Sequence, residues 1–151
     1  ATKEFGVKIV IGSDHAAYEM KEKIEALLKE KGFDVLDVGT HSLDSCHYPT
    51  YAIDLARIVQ KEGLQGILLC GSGIGVSIVA NRFKGVRAAL CRSAEEARLS
   101  REHNNANVLV LGARISSEEA IREMIEVWLK TPFAGGRHSE RLALFDDLGE
   151  E

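Results

Sequence analysis

Apolar residues fall along this chain in two alternating rhythms. Short apolar runs at 7–11, 33–38, 66–70, 86–91 and 107–111 are rich in Val, Ile and Leu, which is how strands buried on both faces read. Between them the apolar positions are spaced out. Residues 18–31 carry Tyr18, Ile24, Leu27 and Leu28 among Glu and Lys, with Gly32 placed to stop a helix. Residues 51–61 and 93–101 repeat that theme. Ser116-Ser-Glu-Glu then opens a helix to Lys130, with hydroxyls to cap it and acids in its first turn. Pro132 ends that helix, and Gly135-Gly136 resets the chain before a last helix at about 137–148.

Five strands with helices between them predict an α/β fold: a three-layer Rossmann-like domain whose parallel sheet is flanked by helices on both faces. No repeat, linker or low-complexity segment divides the chain, so residues 1–151 read as one domain. In open α/β sheets, ligands bind beyond the carboxyl ends of the strands. Polar chemistry gathers there. Asp14 and His15 follow the first strand, Cys70 and Ser72 the third, Arg92 the fourth and Arg114 the fifth.

Composition narrows the function classes. A net charge of −4 argues against a nucleic-acid partner, although a local basic patch still suits a small anion. Cys46, Cys70 and Cys91 are odd in number, far apart and outside any CxxC pattern, which favours free thiols in a reducing compartment. No apolar stretch approaches the roughly 20 residues that span a bilayer. Residues 1–6 lack the apolar centre of a signal peptide. A soluble cytoplasmic protein with no membrane partner is expected.

The stretch Cys70-Gly-Ser-Gly-Ile-Gly places a thiol and a hydroxyl beside free backbone N–H groups where a strand turns into a helix. Such N–H groups favour negative charge, and thiols near them ionise more readily. A plain tight connection explains the same glycines equally well. The spacing is neither a dinucleotide fingerprint nor a P-loop, because Val76 and Ser77 break the first and the final Gly-Lys-Ser/Thr of the second is missing. A thiol phosphatase needs an Arg six residues beyond its cysteine, where this chain has Val76. Cys70 therefore reads as a base.

Asp14-His15 is either a cap or part of the same crevice, where the imidazole suits a phosphate or sugar oxygen and Asp14 a hydroxyl. Residues 101–107 carry His103, Asn104, Asn105 and Asn107. They are a polar turn, or a set of donors and acceptors for a polyhydroxylated ligand with His103 as acid/base. Arg137 and Arg141 lie one helical turn apart beside His138. They are a solvated basic face, or a guanidinium clamp on a phosphate with Arg114 as a third member. His41, Cys46 and His47 fit no standard metal spacing.

Taken together, Gly12-Ser-Asp-His-Ala, Val38-Gly-Thr, Tyr48-Pro, Cys70-Gly-Ser-Gly-Ile-Gly, Ala80-Asn, Gly85-Val-Arg-Ala-Ala-Leu-Cys, Arg101-Glu-His-Asn, Ala106-Asn-Val-Leu, Gly112-Ala-Arg and Phe133-Ala-Gly-Gly-Arg-His resemble the RpiB/LacAB family of sugar-phosphate isomerases, in family order over nearly the whole chain. The resemblance implies an aldose–ketose isomerase acting on ribose 5-phosphate and ribulose 5-phosphate without metal or redox cofactor. It implies that Cys70 moves the proton between C2 and C1, while Ser72 and the N–H groups of Gly71, Gly73 and Gly75 hold the cis-enediolate. By the same analogy His103, with Asp14 nearby, opens the furanose ring. His15, Arg114, Arg137 and Arg141 hold the phosphate and Asn104 binds the sugar. A branch of the family uses a Glu where this chain has Val76, which leaves the role to Cys70.

Two positions depart from the pattern: His47 stands where Asp usually precedes Tyr-Pro, and Ala17 replaces a frequent Gly. Both flank the expected sugar site and bear on substrate choice. The alternatives are a six-carbon substrate, such as allose or galactose 6-phosphate, or a non-catalytic sugar-phosphate sensor. The family pattern also implies a homodimer, or a dimer of such dimers, with sites between subunits and the last helix serving a neighbour.

Overall fold

The computed structural model describes residues 7–151, so the expectation for 1–6 lies outside the described residues. Five parallel strands form one sheet: β1 (Lys8–Ser13), β2 (Asp34–Asp37), β3 (Gln65–Cys70), β4 (Ala88–Leu90) and β5 (Val108–Gly112), in the order β2-β1-β3-β5-β4. Six α-helices connect and cover them: α1 (Tyr18–Glu30), α2 (Tyr48–Glu62), α3 (Ile74–Ala80), α4 (Ala94–Glu102), α5 (Glu118–Lys130) and α6 (Arg137–Ala143). A single 3-10 turn, His15–Ala17, precedes α1. After β2 the chain crosses back over β1 to lay down β3, so the order reverses between β1 and β3. That is where such sheets bind ligands.

The period of two along each strand builds the layers. Ile9, Ile11, Ile67, Leu69, Leu109 and Leu111 face one way, onto α1, α4 and α5. Val10, Leu68, Cys70, Val108 and Val110 face the other, onto α2 and α3. The central strands are inaccessible on both sides, which is why their sequences are continuously apolar.

Helix ends follow local chemistry. Gly32 and Gly63 adopt positive φ values of 94° and 67° and stop α1 and α2. Ser93 accepts the Glu96 N–H, and Ser117 rather than Ser116 caps α5 by accepting the Ala120 N–H. Thr131 is extended ahead of Pro132.

Two elements are shorter than their patterns suggest. The run at 86–91 yields only three residues of strand, because the Arg87 N–H is taken by the Asn107 side chain. The last helix ends at Ala143 instead of 148. Beyond it the chain is drawn aside: Asp146 pairs with Arg87, and Glu150 exchanges backbone hydrogen bonds with Arg82 and Lys84.

Candidate active site

In the sheet, Ser13 lies opposite Leu69, and Cys70 opposite Gly112. Asp14, Cys70 and the Ala113-Arg114 turn therefore leave the sheet side by side, straddling the point where strand order reverses. After Cys70 the chain must turn at once into α3. Gly73 makes the turn at φ +83°, where a Cβ would lie 2.6 Å from Leu90 and 3.2 Å from the Leu111 backbone. Only glycine fits. The turn aims the Gly73 N–H at Cys70 Sγ, 3.1 Å away. The Ile74 N–H donates to Ser72 Oγ at 3.1 Å, which leaves the Ser72 hydroxyl proton free for a ligand.

Gly112 is the counterpart on β5. A Cβ there would sit 2.5 Å from the Ser72 carbonyl oxygen, so the loop's close packing requires it. Arg114 lies along the same loop: its N–H donates to the Gly71 carbonyl at 2.9 Å, and its side chain passes over Gly71. On the other flank the Tyr48 ring covers Gly75, where an added Cβ would lie 2.6–2.9 Å from ring atoms. Tyr48 is a wall of this crevice that the sequence reading left out. The Tyr-Pro pair opening α2 was the available signal, since Pro49 fixes the helix start and with it the ring.

Asp14 opens the 3-10 turn and is almost wholly buried, yet its Oδ1 has no hydrogen-bond partner. An orphaned carboxylate oxygen costs on the order of 1–3 kcal/mol unless a ligand satisfies it. A ligand hydroxyl or N–H group could supply the donor. His15 Nδ1 accepts the Cys46 N–H at 3.2 Å. In the neutral ring the proton then resides on Nε2, which is left as a donor. Cys46 thus serves His15, with its sulfur 3.7 Å from Nδ1, and is not grouped with His41 and His47 around a metal.

The remaining predicted residues gather elsewhere. The His103 ring stacks on that of His138, with centroids 4.5 Å apart and planes 17° from parallel. Arg101 clips the following turn by donating to Asn105 Oδ1 and to the Ala106 and Thr131 carbonyls. The Ala134 N–H donates to the Glu102 carbonyl, tying this turn to the segment that leads into α6. Asn104, Arg137 and Arg141 are exposed there. Desolvation, then the positive neighbours His103, Arg137 and Arg141, hold His138 below the ordinary imidazole range.

This second cluster is at the wrong end of the sheet to meet the first within one chain. Helix α4 runs back against the strands, so His103 comes before the amino end of β5, whereas Cys70 lies level with its carboxyl end. A strand of this length spans about 13 Å. Within one chain, Asp14 and His103 therefore lie toward opposite ends of β5. The strand-end rule governs loops that follow strands, and the 103–107 turn precedes one.

Residues 9–145 match the model of the family described as Ribose/Galactose Isomerase. The chain belongs to this family. Within the ribose/galactose isomerases, it is 42% identical over 136 residues to ribose-5-phosphate isomerase B of Escherichia coli, covering 89% of this chain and 91% of that protein. The solved structure of a Thermotoga maritima ribose 5-phosphate isomerase is 48% identical, with a TM-score of 0.91 over 95% of this chain and 99% of that one. Ribose-5-phosphate isomerase B from Mycoplasma genitalium, solved with bound ribulose-5-phosphate, is 39% identical with a TM-score of 0.92, over 95% and 96% of the two chains. The Rossmann-like architecture is that of the family.

Proposed function

We propose that the chain is an aldose–ketose isomerase that interconverts D-ribose 5-phosphate and D-ribulose 5-phosphate through a cis-enediolate, with Cys70 as the base. Family membership supports the reaction class, and the Gly73 N–H aimed at Cys70 Sγ carries the mechanism. Removing a proton from carbon requires a positioned base, worth on the order of 10²–10⁴ in rate. It also requires donors on the oxyanion that forms, about 3–4 kcal/mol for one good donor. Cys70 takes the C2 proton and returns it to C1. The free Ser72 hydroxyl proton and the N–H groups of the Gly71–Gly75 turn hold the enediolate. Asp14 Oδ1 accepts a sugar hydroxyl, while His15 Nε2–H and Arg114 face the phosphate.

The other residues come from a second copy. His103 opens the furanose ring, Asn104 binds the sugar, and Arg137 and Arg141 complete the phosphate clamp. Two features support a homodimer with shared sites. The exposed face of α3 presents Ile74 and Ile78, 48% and 59% accessible, beside the Cys70 turn. Next to the second cluster lies a cavity of about 590 Å³ lined by Asn81, Phe83, Asn104, Phe145 and Leu148 among others. A two-fold axis that seats α3 of one subunit at this groove of the other brings both half-sites together twice. Three free thiols suit the cytoplasm, and among the described residues no helix is long and apolar enough to cross a membrane.

The test is turnover in D₂O with ribose 5-phosphate, allose 6-phosphate and galactose 6-phosphate. Deuterium entering the five-carbon product, with the highest kcat/KM on that substrate, is the expected outcome. A six-carbon preference would reassign the substrate, and isotope exchange into none of them would leave a sensor.

A further inference from the structure

Lys21 is the one fully buried ammonium group among the described residues, and nothing in the proposed chemistry uses it. It projects from α1 to the carboxyl end of β2, where it pairs with Asp37 and, at 3.3 Å, with Glu22. Glu22, Glu25 and Asp37 form the one group of three metal-type ligands among the described residues. The ammonium group supplies the positive charge there.

Asp37 turns its other oxygen, Oδ1, to the Gly39 N–H at 2.8 Å. Gly39 in turn accepts the Ser13 N–H at 2.7 Å, and the Thr40 N–H donates to the Ser13 carbonyl at 2.7 Å. Both backbone groups of Ser13 are thus held by the segment that Asp37 anchors. The Ser13 hydroxyl donates to the Asp14 carbonyl at 3.0 Å. The turn bearing Asp14 and His15 is therefore fastened at both ends to one carboxylate, through Ser13 before it and through Lys21 after it.

We propose that the pair of buried Lys21 with half-buried Asp37 is a positioning device that aims Asp14 and His15 at the substrate, an assignment that rests on the site reading given above. A buried pair is a poor way to gain stability, since apolar replacements of similar volume are often neutral or better. What the pair does supply is direction, because Asp37 meets Lys21 and Gly39 with different oxygens. Burial works to raise the Asp37 carboxyl, but Lys21 and the Gly39 N–H outweigh it and hold it below the usual carboxylate range. Neighbouring Glu25 is pushed the other way, by burial and then by Asp37. The charge facing Lys21 is thereby concentrated on the oxygen pair that also holds the Gly39 turn.

The experiment compares Lys21→Met, the double variant Lys21→Met/Asp37→Asn, and Met124→Ala, a cavity on the core face of α5 that touches neither charge. Each is measured for melting temperature, kcat, KM and the NMR resonances of the Asp14 amide and His15 ring. Lys21→Met is expected to lose about 10- to 100-fold in kcat/KM, as misaimed groups do, with kcat falling and KM rising. The double variant restores neutrality and keeps an oxygen for Gly39, so it recovers most of the loss. Met124→Ala melts earlier but keeps both constants.

Wild-type kcat and KM in folded Lys21→Met would overturn the proposal. So would a loss no greater than that of a Met124→Ala protein matched in melting temperature. If Lys21→Met does not fold, Asp37→Asn and Asp37→Ala decide, because only the amide keeps an acceptor for Gly39; equal kcat in the two refutes the device. Absence of turnover in the wild type condemns the isomerase reading instead. The Asp14 and His15 resonances then decide, and if they do not move in Lys21→Met the positioning proposal fails by itself.

Discussion

The two clusters of predicted site residues are built in opposite ways. At the carboxyl end of the sheet, Cys70, Asp14 and the glycine turn hang from β1, β3 and β5, whose core residues Ile11, Leu69 and Leu111 are wholly buried. Their aim is set by backbone hydrogen bonds and by two glycines that leave no room for a side chain. The other cluster sits on a turn and on α6, a helix of seven residues, and it displays exposed Arg and Asn side chains. Proton transfer at carbon needs rigidly aimed groups, which strand ends provide. Capture of a phosphate tolerates longer, looser arms, since guanidinium groups attract it over a distance. Exposed arms are also what a chain can lend to a neighbour.

Cys70→Ala should have the largest effect in the rigid cluster. It is expected to lower kcat by about 10²–10⁴ or more, with KM close to wild type and only a small change in melting temperature. A kcat within tenfold of wild type would remove Cys70 from the role of base. That would leave the two clusters chemically indistinguishable.

Complementation tests whether the clusters belong to different subunits. Each alone, Cys70→Ala and His103→Ala should be nearly inactive. Unfolded together, mixed equally and refolded, they should recover about a quarter of the wild-type activity per site, because half the dimers are mixed and each has one intact site. No recovery above the parents would mean that each site is built from one chain, against the separation imposed by β5.

The looser cluster should answer differently to truncation. Replacing Arg137 and Arg141 together with Ala removes charge-assisted hydrogen bonds worth about 1.5–3 kcal/mol each. KM for ribose 5-phosphate should rise at least about a hundredfold, while kcat falls less than in Cys70→Ala. An unchanged KM would take both residues out of the phosphate site.

The same contrast explains how much was legible in sequence. The strands and their end residues were readable because buried parallel strands are continuously apolar and their carboxyl ends carry the ligand chemistry in such sheets. Ser72, Gly73 and Asp14 fell where that rule puts them. The position of His103 was not readable, since its turn precedes a strand and lies outside the reach of that rule. Lys21 also escaped: its spacing on α1 puts it among Ile24, Leu27 and Leu28, and a charged residue on that face has no signature until Asp37 is seen opposite. Helix α6 was overextended because its periodicity continues through Leu144 and Leu148, while the tertiary contacts of Asp146 and Glu150 end it early.

The smallest effect, and the sharpest control on the rigid cluster, belongs to Cys91. It too follows a strand, and it is as buried as Cys70, but no N–H meets its sulfur, which donates to the Ala89 carbonyl instead. Burial, opposed only in part by Ser100, pushes this thiol up to about 11. In the unfolded chain it ionises near about 8.5. Its folded value is the higher one, so its contribution to stability is complete below that unfolded value and is lost as pH rises toward 11. The loss amounts to about 3 kcal/mol across that window. Cys91→Ala should therefore flatten the alkaline limb of the stability profile at a cost near neutrality of about 1 kcal/mol for the lost sulfur. Its kcat should match wild type, and in the wild-type protein iodoacetamide at pH 8 should reach Cys91 only after unfolding. A Cys91→Ala protein with reduced kcat but intact stability would show that being a thiol at a strand end is enough for catalysis. The distinction drawn from the Gly73 N–H would then fail.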